Sequence, residues 1–116
     1  MQEIKQCGAQ GDVLFRRVPT IPKDATEQKD KGPVIVAHSE TGHHHTIAQA
    51  EAKLFTSADP FVCYLRLAGE HADVVHHRPH DTHETLRLVG ERKGGACFEV
   101  RRQREHTPEG WRMVQD

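Results

Sequence analysis

The sequence predicts an all-β fold, a compact small barrel or sandwich of about seven or eight short strands, the number that a chain of this length with so many turn signals accommodates. Three observations carry that expectation. Apolar and polar residues alternate with a period of two in Phe61–Leu67, His83–Val89 and Cys97–Glu105, as they do in strands with one wet face. Turn formers such as Gly11-Asp12, Thr41-Gly42, Asp59-Pro60 and the Gly90–Gly95 segment divide the chain at near-regular spacing. No stretch keeps a helical period for long.

Taken in order, Gly11 and Asp12 lead into Val13–Val18 (VLFRRV), a first strand that Pro19 and Pro22 end, because proline donates nothing to a ladder. Residues 23–32 (KDATEQKDKG) lack a large apolar side chain and read as a charged, flexible, solvated loop. Pro33–Glu40 (PVIVAHSE) is β-branched and apolar, a strand that delivers the chain to Thr41-Gly42. Ile47–Phe55 (IAQAEAKLF) mixes helix-favouring residues with a position between strands, and is read as strand or irregular. In Phe61–Leu67 the residues Phe61, Cys63, Leu65 and Leu67 share one face, and Val62, Tyr64 and Arg66 the other. Ala72–His77 brings two valines into a histidine-rich segment, and Gly90–Gly95 is read as a hairpin loop. In the following strand Phe98 and Val100 oppose Cys97, Glu99 and Arg101. Thr107-Pro108-Glu109 resembles a helix start, and a single turn before Trp111–Val114 is expected.

The chain has 116 residues, 35% of them hydrophobic and 28% charged, with a formal net charge of −1. That length makes one β-rich domain, residues 1–116, burying about two-thirds of its unfolded surface. The near-neutral charge supplies no global attraction to nucleic acid or to an anionic membrane. The first ten residues have no apolar signal segment and no run approaches a membrane span, so a cytoplasmic protein with no membrane contact is expected. Three well-separated cysteines, Cys7, Cys63 and Cys97, form neither a disulfide framework nor a CxxC zinc motif. Cys63 and Cys97 lie in apolar runs and are read as small core residues.

The ten histidines are the chemical anomaly, since eight fall in two segments, Thr41–Thr46 (TGHHHT) and His71–His83 (HADVVHHRPHDTH). On an extended strand His43 and His45 project to one face, while His80 and His83, three apart, can face together across a turn. Two such pairs supply four imidazoles for a divalent transition metal, zinc first, with iron or nickel suited to the same nitrogen donors. Four nitrogens make a closed structural site; three and a water make an open one that can activate that water. Spacing does not choose between them, and no reaction is assigned. Asp81 and Glu84 are placed to accept the second ring N–H of a ligating histidine. The blander account treats both segments as exposed polar loops. Neither HExxH nor HxxEH occurs, Ser39 and Ser57 have no nucleophile elbow, and Cys63 lies in an apolar strand that disfavours a thiolate.

Together QGDVL (Gln10–Leu14), TGHxH (Thr41–His45), HxxH (His80–His83) and VRRQRE (Val100–Glu105) before a Pro-Glu turn resemble a family of small uncharacterised proteins from bacteria and their phages. The resemblance spans nearly the whole chain. It implies that His43, His45, His80 and His83 are the pattern histidines and that His44, His76 and His77 are additions; it brings no activity with it. His106 and the Gly-Gly loop depart from the pattern.

A competing class is an interaction module. From Arg87 to Arg104 six basic residues face two acids, so Arg101, Arg102 and Arg104 could grip nucleic acid or an acidic partner while the histidines only support the fold. Against this, no phosphate loop, paired RNA-binding aromatics or helix-turn-helix pattern is present, and a charged strand also protects a sheet edge. A third class is a structural subunit whose few aromatics leave a core completed by a homo-oligomer.

Overall fold

The computed structural model describes residues 2–29, 32, 34–37, 45–76, 85–102, 104–107 and 110–113. All regular structure among them is β, in two facing sheets and a separate hairpin. The first sheet contains β1 (Gln2–Ile4), β5 (Val34–Ala37), β6 (His45–Ile47), β9 (His71–His76) and β10 (Leu86–Val89), in the order β1-β10-β9-β6-β5. The second contains β2 (Cys7–Gln10), β3 (Val13–Val18), β4 (Thr26–Glu27), β7 (Ala52–Thr56), β8 (Val62–Leu67) and β11 (Cys97–Arg102), in the order β2-β3-β11-β8-β7-β4. Each sheet keeps its own edge strands, so the architecture is a sandwich and not a closed barrel.

Side-chain alternation builds the core. Val13 and Phe15 of β3 are buried while Leu14 between them is exposed, and on β11 Phe98 and Val100 are buried while Arg101 is exposed. These meet Leu65 and Leu67 from β8 and, across the sandwich, Ile47, Val74, Leu86 and Leu88 in a single apolar cluster. Burying such side chains stabilises the fold by roughly 1.5–3 kcal/mol each. Cys63 packs against the cluster, its Sγ 3.6 Å from the Val36 carbonyl, and Cys97 is buried, as expected of small core residues.

Several boundaries differ from the sequence expectation. Among the described residues thirteen strands stand where seven or eight were expected, the additions being the short β1, β2 and β4, the division of Ile47–Phe55 and the pair β12 and β13. Ile47–Phe55 is two strands: β6 ends at Ile47, Glu51 N–H bonds the Ala48 carbonyl in a turn, and β7 begins at Ala52. The charged run 23–32 carries the short strand β4, whose Thr26 and Glu27 pair with Thr56 and Phe55. Gly90–Gly95 is no hairpin loop but a crossing from β10 in one sheet to β11 in the other. It runs beside the crossing at 68–70, tied to it by Gly90 N–H to Glu70 O and Gly95 N–H to Leu67 O. Gly94 has φ 78°, and a Cβ there would lie 2.3 Å from the Ala68 carbonyl oxygen, so glycine is required by both backbone and space. In place of the expected helical turn, β12 (Arg104–Thr107) and β13 (Gly110–Met113) form an antiparallel hairpin, with His106 opposite Trp111. Trp111 on the second arm suits a strand and Gly110 weakens a helix, so pairing between the two arms prevails over the weak helix-start signal.

Candidate metal centre

The two histidine segments connect neighbouring strands of one sheet. β5 pairs with β6, Ala37 standing opposite His45, and β6 pairs with β9, His45 standing opposite His76. β9 in turn pairs with β10, Val74 opposite Leu86. Residues 38–44 therefore link β5 to β6, and residues 77–85 link β9 to β10, at the same end of the same sheet. Of the four nominated ligands, His45 lies within the described residues; His43, His80 and His83, with the supports Asp81 and Glu84, lie outside them.

His45 is buried, 1% exposed, and its Nδ1 lies 2.8 Å from Oε1 of Gln10, a residue of the opposite sheet. The Gln10 side-chain nitrogen donates to the Val74 carbonyl at 2.9 Å, so the amide spans from the strand after which His77 follows to the histidine that ends TGHHH. Gln10 stands there because the Gly11-Asp12 turn, with Gly11 at φ 61°, reverses β2 into β3 with Gln10 opposite Val13. The same turn holds buried Asp12, 4.0 Å from Nη2 of Arg102, the residue opposite Val13 on β11. Thus Gln10 and Asp12 of QGDVL, His45 of TGHxH and Arg102 of RRQRE, far apart in sequence, gather at one end of the sandwich. Gln10 and Asp12 were not nominated from sequence; a polar residue on each side of a strand-reversing Gly, unusual in a core, was the signal to follow.

A second set of donors joins the start of β9 to the turn before β7. Glu51, His71 and Asp73 each offer one atom within 4.8 Å of the others, and together they could hold a metal ion. The set already has a structural task. Arg87 grips both oxygens of Asp73, Nε to Oδ1 at 2.8 Å and Nη2 to Oδ2 at 3.1 Å, and Glu51 Oε1 accepts the Asp73 backbone N–H at 3.1 Å. The Arg87 hydrogen bond holds the Asp73 carboxyl below the usual carboxylate range, against partial burial and helped by the charges of Arg87 and His71. An ion here would have to share Asp73 with a bidentate guanidinium.

The basic strand is largely engaged within the fold. Glu99 accepts from Arg16 at 3.2 Å and Arg101 at 3.3 Å, while Arg102 is turned inward beside Asp12. Arg104 opens β12 opposite Met113. Such pairing is the ordinary behaviour of a charged sheet face, and each exposed pair contributes little to stability.

Among the described residues no helix is long and apolar enough to cross a membrane. The chain belongs to the family described as Domain of unknown function (DUF8820), whose model matches residues 9–103. Neither a curated protein nor a solved structure matches the chain.

Proposed function

We propose that this protein binds a divalent transition metal at the end of the sandwich where the two histidine segments leave the sheet, with His43, His45, His80 and His83 as ligands. Zinc fits four imidazoles best, and iron or nickel would take the same donors. Asp81 and Glu84 support the ligand rings from the 77–85 connection, and the protein acts in the cytoplasm. One observation carries the reading. The register His45 opposite His76 starts TGHHH's last residue and the HHRPHDTH segment side by side, so the links bearing the other nominated histidines depart from adjacent strands. The clamp of His45 by Gln10 adds the kind of outer support that ligating histidines ordinarily have.

The test is elemental analysis of the untagged full chain, with His43→Ala and His80→Ala variants and a Glu51→Gln/Asp73→Asn control. Stoichiometric metal in wild type and control, lost in either histidine variant, supports the site. Metal lost only in the Glu51/Asp73 control moves it to the other end of β9, and metal in none of the proteins sinks the reading.

A further inference from the structure

We propose that Gln10 is the positioning residue that selects which nitrogen of His45 serves as ligand: it takes the proton side of the ring, Nδ1–H, and makes Nε2 the metal-binding atom. The inference rests on the metal reading above for its ligating half, and on hydrogen-bond chemistry for the rest.

A primary amide has one accepting end and one donating end. The Val74 carbonyl can only accept, so the end of Gln10 that lies 2.9 Å from it is the NH2 group. The end 2.8 Å from His45 is then the carbonyl oxygen, which can only accept as well. Nδ1 of His45 must therefore carry a hydrogen, and in the neutral ring the lone pair resides on Nε2. A flipped amide would set oxygen against oxygen at Val74, which excludes the alternative assignment. Burial goes with this choice: His45 is 1% exposed and lies in β6 between β5 and β9, where an Nδ1–H without an acceptor would be costly. Gln10 is held as firmly, opposite Val13 beside the Gly11 turn. The chain Val74 C=O, Gln10 amide, His45 imidazole thus ties the two sheets together and orients the ring. It is the arrangement by which outer partners fix tautomer and direction in metal-ligating histidines, with an amide in the role more often filled by a carboxylate.

The experiment is nitrogen NMR of the histidine rings in the metal-free full chain, His45 being assigned by its absence in His45→Gln. Zinc affinity is read in parallel by competition with a chromophoric chelator. Wild type is expected to show His45 protonated at Nδ1 and to bind zinc. Gln10→Glu, which in its neutral form can accept from Nδ1–H and donate to Val74, keeps both properties. Gln10→Leu removes both hydrogen bonds, and is expected to lose the fixed tautomer and to weaken zinc binding about 10- to 100-fold. Should Gln10→Leu not fold, wild type and Gln10→Glu still decide. Zinc-binding wild type with the proton on Nε2 overturns the assignment of Gln10 alone. Wild type protonated at Nδ1 that takes up no zinc overturns the metal reading, and the ligating role with it.

Discussion

His45 and Gln10, 35 residues apart and on opposite sheets, meet through a 2.8 Å hydrogen bond between Nδ1 and Oε1 at the histidine end of the sandwich. Because His45 is almost wholly buried, this bond and the one from Gln10 to Val74 satisfy polar groups that would otherwise be costly inside the core. Gln10→Ala removes both bonds and is expected to destabilise the protein by about 1–3 kcal/mol in chemical denaturation, the usual loss for depriving buried groups of their partners. An unchanged denaturation midpoint would show that the bonds contribute nothing net.

The crossing at Gly94 gives a second stability prediction. Gly94→Ala must adopt φ near 78° and press a methyl into the Ala68 carbonyl, so a loss of at least about 1–3 kcal/mol is expected. Gly69, beside it in the neighbouring crossing, has open space, and Gly69→Ala should change stability by no more than about 0.5 kcal/mol. Equal losses from the two substitutions would contradict this account of the corner.

The cysteines should differ sharply in reactivity. Burial pushes the Cys63 thiol up to about 12, whereas Cys7 is exposed on edge strand β2. A disulfide reagent at pH 8 is expected to label native Cys7 quickly and to leave Cys63 intact until the protein is denatured, since the thiolate is the reacting form. Rapid native labelling of Cys63, mapped by peptide mass analysis, would be inconsistent with its packing.

The Asp73–Arg87 pair should leave a pH signature. Its folded carboxyl titrates lower than in the unfolded chain, so its contribution is present above the ordinary carboxylate range and lost as pH falls through the folded value. Asp73→Asn is therefore expected to be less stable than wild type at neutral pH, the difference closing in acid. A difference that persists unchanged at low pH would assign the loss to something other than charge.

Much of the sandwich was legible because alternation survives in the strands that build the core: the Phe98/Val100 and Leu65/Leu67 faces are buried as their pattern requires. The crossings were harder to read. Gly90–Gly95 has the composition of a hairpin loop, and glycine's conformational freedom serves a corner between sheets equally well, so only long-range pairing distinguishes the two. At the tail, the Thr-Pro-Glu helix signal competes with an equally local alternative, the pairing of β12 with β13, and Trp111 and Gly110 favour the latter. At the site, spacing nominated His45 but could not reveal Gln10, because their contact depends on how two sheets face each other. For Arg101 and Arg102, sequence supplied the charge and the fold supplied the acids Glu99 and Asp12 beside them.

The most direct measurement is an anomalous-scattering map at the zinc edge from crystals of the zinc-loaded full chain. The account predicts one stoichiometric peak about 2.0–2.1 Å from His45 Nε2 and from the ring nitrogens of His43, His80 and His83. A peak between Glu51, His71 and Asp73, or no peak at all, would contradict it.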